Sequence, residues 1–178
     1  PRTGIPACAA LVLALAFAMP AFAHPTSLAG RGGTFVTPEH TLPAYDHSLN
    51  AGMEFLELDV WLSSDGVPVC IHDTTVDRTT DGTGNVADKT LAELRALDAG
   101  SWYDPAFAGE QIPTLEEAFL TTMGRGRLLL DVKQPEGYAV IAQLATTVGF
   151  PFTDIFSFQR GWDPNLFRNN FPGGEILT

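Results

Sequence analysis

The chain has 178 residues, 45% hydrophobic and 17% charged, with 10 Lys and Arg against 21 Asp and Glu and a net charge of −11. That balance excludes general disorder, because hydrophobicity is high and charge is low, and it disfavours a nucleic-acid binder working through a basic face. One ordinary domain with a buried core is the expectation, and its surplus of carboxylates suits metal cations.

Residues 9–19 form an apolar run, followed by Pro20 and the small-x-small pattern Ala21-Phe22-Ala23 ahead of His24. This reads as a secretory signal peptide over residues 1–23, with Arg2 as its basic residue. The run is too short for a membrane span, which needs roughly 20 apolar residues. An exported protein, periplasmic or extracellular, without a stable membrane anchor is therefore expected. Cys8 falls within the leader, so Cys70 stands alone and no disulfide framework is expected.

Beyond the leader the elements alternate. Leu28-Ala29-Gly30 is a short candidate strand that enters a Gly-rich turn at Arg31-Gly32-Gly33. A helix is predicted over 38–50, with Thr37 as N-cap, Pro38 at the first helical position, and Leu42, Tyr45 and Leu49 as its apolar stripe. A strand over 54–60, a Ser-Ser-Asp-Gly turn and a strand over 67–72 come next. The polar stretch 73–89 precedes a short helix opened by the capping box Thr90…Glu93, and Thr114…Glu117 opens the helix Leu115–Met123. A strand over 127–133, a helix over 137–148, a strand over 154–158 and a last strand starting near Glu175 complete the pattern. Strands separated by helices at this spacing predict a parallel α/β sheet or barrel.

Three of these strands carry polar residues where a covered parallel sheet should be apolar. Side chains alternate between faces along a strand, so Leu56, Leu58 and Val60 oppose Phe55, Glu57 and Asp59. Val67, Val69 and Ile71 oppose Cys70 and His72, and Leu128, Leu130 and Val132 oppose Leu129, Asp131 and Lys133. Each second face turns polar toward the C-terminal end of its strand. A (β/α)₈ barrel explains this, because its inward face becomes the active site at the C-terminal mouth. Glu57, Asp59, His72, Asp131 and Lys133 would then converge.

Three carboxylates placed together repel unless a cation sits among them, and oxygen ligands suit Ca²⁺ or Mg²⁺. Lys133 and Arg31 add positive donors fitted to a phosphate group, and a histidine such as His72 is suited to proton exchange. Taken singly, the motifs have bland readings: an exposed Glu-x-Asp edge, a satisfied core histidine, a surface Asp-x-Lys pair. Their recurrence at equivalent strand ends favours a site. Asp81-Gly82 and Gly84-Asn85 lack the spacing of a calcium loop and read as a turn.

The run from Ala29 to Lys133 resembles the glycerophosphodiester phosphodiesterases. The matching segments are Arg31-Gly32, Pro38-Glu39-His40-Thr41-Leu42-Pro43-Ala44-Tyr45, Glu57-Leu58-Asp59-Val60, Asp65-Gly66-Val67-Pro68-Val69, His72-Asp73, Asp77-Arg78-Thr79-Thr80, Ile112-Pro113-Thr114-Leu115-Glu116-Glu117 and Leu130-Asp131-Val132-Lys133. The resemblance implies a TIM-barrel enzyme that hydrolyses glycerophosphodiesters, small-molecule substrates, to an alcohol and glycerol 3-phosphate. It implies a divalent cation held by Glu57, Asp59 and Asp131, phosphate held by Arg31 and Lys133 with Glu39 nearby, and His72 as one of two catalytic histidines. It also implies an insertion after the third strand, over 73–126, that covers the mouth.

Three departures from the family pattern stand out. Gly30 replaces the first histidine of His-Arg-Gly, His40 replaces the usual Asn, and Asp131 replaces the usual Glu. Loss of the first histidine raises an alternative: a catalytically impaired module that binds a phosphodiester or a metal. A lysophospholipid or sphingolipid head group is a further substrate option. A glycosidase using Glu57 and Asp59 would leave Lys133 and Arg31 unexplained. A typical (β/α)₈ barrel needs roughly 250 residues, so the domain over 24–178 is expected to be a barrel incomplete at its C-terminal side, truncated after about six strands.

Overall fold

The computed structural model describes residues 27–158 and 164–177. The signal peptide expected over residues 1–23 lies outside them. In chain order the elements are β1 (Leu28–Ala29), α1 (Leu42–Asn50), β2 (Phe55–Leu62), β3 (Pro68–Cys70), α2 (Leu91–Arg95), α3 (Leu115–Thr122), β4 (Arg127–Val132), α4 (Gly137–Val148), β5 (Ile155–Phe158), α5 (Pro164–Asn170) and β6 (Glu175–Leu177). Five strands form a parallel path, β1-β2-β4-β5-β6, and β3 pairs with β2 from outside that path. Among the described residues the sheet is not closed.

The predicted α/β pattern holds, with one revision to how the strands are assembled. The third strand runs antiparallel to β2, with Val60 opposite Cys70 and Leu62 opposite Pro68. The connection explains it. A parallel return needs a crossover of a dozen or more residues, whereas Ser63 to Val67 is a tight turn closed by the Ser63 N–H bonded to the Val67 carbonyl at 2.9 Å, with Gly66 at φ 81. β2 therefore climbs past the level of its parallel neighbours, folds over, and β3 descends again. The insertion that follows β3 has its own small core of Val69, Ile71, Val76, Val86, Leu94, Ala99 and Ile112.

The main core lies between the sheet and its helices. Leu56, Leu58 and Val60 pair in register with Leu128, Leu130 and Val132, and all six are buried against Tyr45 and Leu49 of α1, Phe119 of α3 and Ile141 of α4. The opposite face begins apolar, with Phe55, Leu129 and Phe156 clustered and the Phe55 and Phe156 rings edge-to-face at 5.0 Å. It then turns acidic.

Both predicted capping boxes form: Thr90 and Glu93, and Thr114 and Glu117, exchange side-chain and backbone bonds at 2.8–3.3 Å. The first long helix starts four residues later than the Thr37–Pro38 signal suggests, after Thr41. His40 is the reason. It adopts a left-handed φ of 49, which no helix can include, and its N–H bonds the Arg31 carbonyl at 2.9 Å. No described helix is long and apolar enough to cross a membrane.

Phe119 has no exposure and stacks on Phe150 at 4.6 Å, whereas its neighbour Leu120 is 59% exposed. Phe119→Ala should cost about 3–5 kcal/mol of stability, and Leu120→Ala should stay within about 0.5 kcal/mol. Urea unfolding of the two variants measures the contrast.

Candidate active site

Glu57 and Asp59 on β2 and Asp131 on β4 emerge on the inner face above the Phe55 cluster. The register sets Asp59 directly beside Asp131, with Glu57 one pleat below, beside Leu129. One carboxylate oxygen from each lies within 4.8 Å of the others. Asp59 and Asp131 are buried, and Glu57 is partly exposed.

Burial pushes the Glu57 carboxyl above its ordinary range and the Asp59 charge adds to the push, while the Arg31 backbone N–H, donating to Glu57 Oε2 at 2.7 Å, offsets part of it. Burial acts on Asp59 in the same sense. There it is outweighed by His40 and Lys133, which hold the Asp59 carboxyl well below the usual carboxylate range. Lys133 Nζ reaches Asp59 Oδ1 at 2.5 Å and Asp131 Oδ2 at 2.7 Å. His40, itself buried, places Nε2 3.0 Å from Asp59 Oδ2.

Three carboxylates facing one ammonium leave a surplus of negative charge in a site largely shielded from water. An all-oxygen donor set of this kind fits a hard divalent cation better than a soft one. Glu57, Asp59 and Asp131 would hold it.

Beside the acids, the turn after β1 presents Arg31. The residue takes a left-handed φ of 54 and is followed by Gly32 at φ 75. A Cβ on Gly32 would lie 2.2 Å from the Tyr45 ring, so glycine is what lets this turn press onto α1. The Arg31 guanidinium meets the Glu39 carboxylate at 3.2 Å. Arg78, from the insertion, grips the same carboxylate through two nitrogens at 2.7 and 3.0 Å. Burial would raise Glu39, but Arg78 and then Arg31 outweigh it and hold the carboxyl below its ordinary range. Glu39 thus acts on the arginines of the cradle and anchors the insertion to it.

Arg78 also binds Asp73 through Nε at 2.7 Å, and Asp73 Oδ1 meets His72 Nδ1 at 2.6 Å. His72 is delivered by the descending β3 and its continuation, and the Trp61 Nε1–H donates to its carbonyl at 3.5 Å. The fold brings Glu57, Asp59, Asp131, Lys133, Arg31 and Glu39 together and ties His72 to them through Asp73 and Arg78. Gly30, Arg31, Thr34, Glu39 and Glu57 line an open cleft of about 290 Å³. A Cβ built on Gly30 would stand 3.9 Å from Glu57 Oε2, in ordinary contact, so the backbone here leaves room for a Cβ beside the acidic cluster.

Two residues of this arrangement escape reading by strand periodicity. Arg78 lies in a polar stretch with no repeat, and its signal is its presence in one of the segments that carry the family resemblance. His40 reads as a first-turn helix residue; in the fold it precedes the helix and turns inward.

Residues 30–140 match the family model described as the glycerophosphoryl diester phosphodiesterase family. The Bacillus subtilis protein YhdW is 40% identical over 149 residues, which is 82% of this chain and 61% of its own length. The crystal structure of a glycerophosphodiester phosphodiesterase from Agrobacterium tumefaciens superposes with a TM-score of 0.75 at 33% identity, covering 85% of this chain and 65% of that one. An Oleispira antarctica phosphodiesterase, solved in complex with the product sn-glycerol-3-phosphate, superposes with a TM-score of 0.73 at 31% identity over 85% of this chain and 64% of its own. The chain therefore spans under two thirds of the length of each of these relatives.

The Arg78 hydrogen bonds, with help from His72, hold the Asp73 carboxyl down at about 2 against an ordinary 3.8. A lowered carboxylate contributes stability that is fully present above its unfolded value and is lost as pH falls through the folded one. Asp73→Asn should therefore be less stable than the parent at neutral pH, with the gap narrowing from about 3.8 down to about 2. Urea midpoints across that acid range test this.

Proposed function

The chain belongs to the glycerophosphoryl diester phosphodiesterase family, and from that footing we propose that it is a phosphoric diester hydrolase cleaving glycerophosphodiesters to an alcohol and glycerol 3-phosphate. The observation that carries the proposal is the meeting, at one mouth, of the Glu57–Asp59–Asp131 cluster, the Arg31 and Lys133 cations and the His72–Asp73 pair. The product complex of the Oleispira relative supports the substrate class.

Each residue has a part that follows from its position. Arg31, splayed from the turn by Glu39, and Lys133, at the end of β4, donate to phosphate oxygens and favour the charge that grows on them. Asp73 accepts the His72 Nδ1–H, which leaves Nε2 as the atom that exchanges a proton with the substrate. Once the ring is protonated, with Nδ1–H still on Asp73, Nε2–H can hand its proton to the departing alcohol oxygen, leaving the ring neutral. A Ca²⁺ or Mg²⁺ ion, when bound, supplies Lewis-acid polarisation of the phosphoryl group. With glycine at position 30, His72 is the histidine left from the family's pair, and turnover is expected to be slower than with both present.

The proposed substrate class supports a role in glycerophospholipid breakdown. With residues 1–23 read as an export signal, it works in the periplasm or outside the cell.

A second reading rests on Gly30: a module that keeps the cation and phosphate cradle without turnover. One assay separates the two. Glycerol 3-phosphate release from glycerophosphocholine should be abolished by a chelator, restored by the divalent cation, and lowered about 10²–10⁴-fold by His72→Ala. Release that survives both treatments would overturn the proposed site. Gly30→His should raise kcat, and activity appearing in that variant alone would establish the binding module.

A further inference from the structure

His40 stands out among the remaining groups because its backbone and its side chain are both unusual. It is one of two non-glycine residues with positive φ among those described, the other being Arg31. Holding a non-glycine residue there is unfavourable unless its surroundings compensate, and such strain gathers at functional sites. The two strained residues are coupled, because the His40 N–H bonds the Arg31 carbonyl at 2.9 Å. What the strained backbone achieves is visible in the side chain. The imidazole is turned inward onto Asp59 with 4% exposure, in place of lying along the first turn of a helix.

Both ring nitrogens are engaged there. Nε2 lies 3.0 Å from Asp59 Oδ2 and Nδ1 lies 3.3 Å from the Tyr45 hydroxyl. A carboxylate can only accept, so Nε2 carries the hydrogen and donates to Asp59, while Nδ1 is engaged by the Tyr45 hydroxyl. Full burial pushes the Tyr45 hydroxyl well above its ordinary value, which keeps it protonated and able to donate. With neither nitrogen left over, His40 does not replace the missing histidine of position 30 in proton transfer.

The chain Tyr45–His40–Asp59 ends on an oxygen different from the one Lys133 uses, since Lys133 holds Asp59 Oδ1. Asp59 is thus gripped on both oxygens, one by the Lys133 ammonium and one by a buried imidazole engaged at both nitrogens. The ammonium brings a positive charge into the same space a divalent cation would enter. The imidazole, held at both ring nitrogens, orients the carboxylate from behind.

We infer that His40 is a positioning residue for the cation site: it fixes the Asp59 carboxylate through Nε2, is itself fixed by Tyr45, and so raises the affinity of the acidic cluster for a divalent cation. The inference rests on the reading of Glu57, Asp59 and Asp131 as a cation site. Partners that orient a ligand from behind typically account for about 10–100-fold in metal affinity.

Direct titration of the chelator-stripped full-length protein with Ca²⁺ and with Mg²⁺ by calorimetry tests it, with circular dichroism confirming that each variant is folded. His40→Ala should weaken binding about 10–100-fold. His40→Asn keeps a residue that tolerates the left-handed backbone, but its amide matches the position of Nδ1 and falls short of Asp59, so it should bind as weakly as the alanine variant. His40→Gln places an amide N–H where Nε2 stood and should recover most of the affinity. A purely structural role would group Asn with the parent and Gln with Ala, the reverse order. Equal affinity in the parent and the folded His40→Asn and His40→Gln variants would overturn the inference while leaving the cation reading intact. A folded parent that binds neither ion would overturn the cation reading, and the inference with it.

Discussion

Mutual repulsion among three carboxylates is the constraint around which the polar end of this molecule is built. Asp59 and Asp131 face each other across one rung of the β2–β4 ladder, and Glu57 stands one pleat below. Taking such charges out of water is unfavourable by several kcal/mol per ion unless donors and opposite charges meet them. The neighbours supply those partners from three directions: Lys133 from the end of β4, His40 from the approach to α1, and the Arg31 backbone N–H from the turn after β1. The remaining imbalance is what fits the cluster to hold a cation.

The same constraint accounts for where the backbone is strained. Arg31 and His40 are held at φ 54 and φ 49 and are joined by a backbone hydrogen bond. Both present their groups to the acidic cluster: Arg31 its N–H to Glu57, His40 its imidazole to Asp59. The opposite face of the sheet carries the stability that compensates. Six aliphatic side chains of β2 and β4, paired in register, pack beneath three helices, and burial of that area is the dominant favourable term in folding. One strand pair therefore serves both ends, with its outer residues anchoring the fold and its inner residues forming the site.

The insertion is joined to the site by charge. Arg78 bridges Glu39, which also pairs with Arg31, and Asp73 beside His72, so His72, Arg31 and the inserted segment share one ion-pair network. The paired carboxylate fixes which ring nitrogen faces the mouth.

Alternation along β2 and β4 is legible in the sequence because a strand's period of two is a local property. It correctly assigns Glu57, Asp59 and Asp131 to the face opposite Leu56, Leu58 and Val60. Both capping boxes are equally local, and both form where Thr and Glu stand three apart. The family pattern in residues 29–133 adds Arg31, Glu39 and His72. Pairing partners and strand direction are different, since they depend on what lies across the sheet. The descending course of β3 follows from the short Ser63–Val67 turn, and it returns His72 toward the mouth along a path that an assumed parallel strand does not predict. The Arg78 bridge and the inward turn of His40 join residues 39 and 19 positions apart in the chain. The amino-acid sequence by itself thus determined the chemistry present and the face on which it stands, because both arise from short-range periodicity and motif. The tertiary structure decided which groups neutralise one another, because the Coulomb and hydrogen-bond terms that settle a buried cluster depend on distance in space.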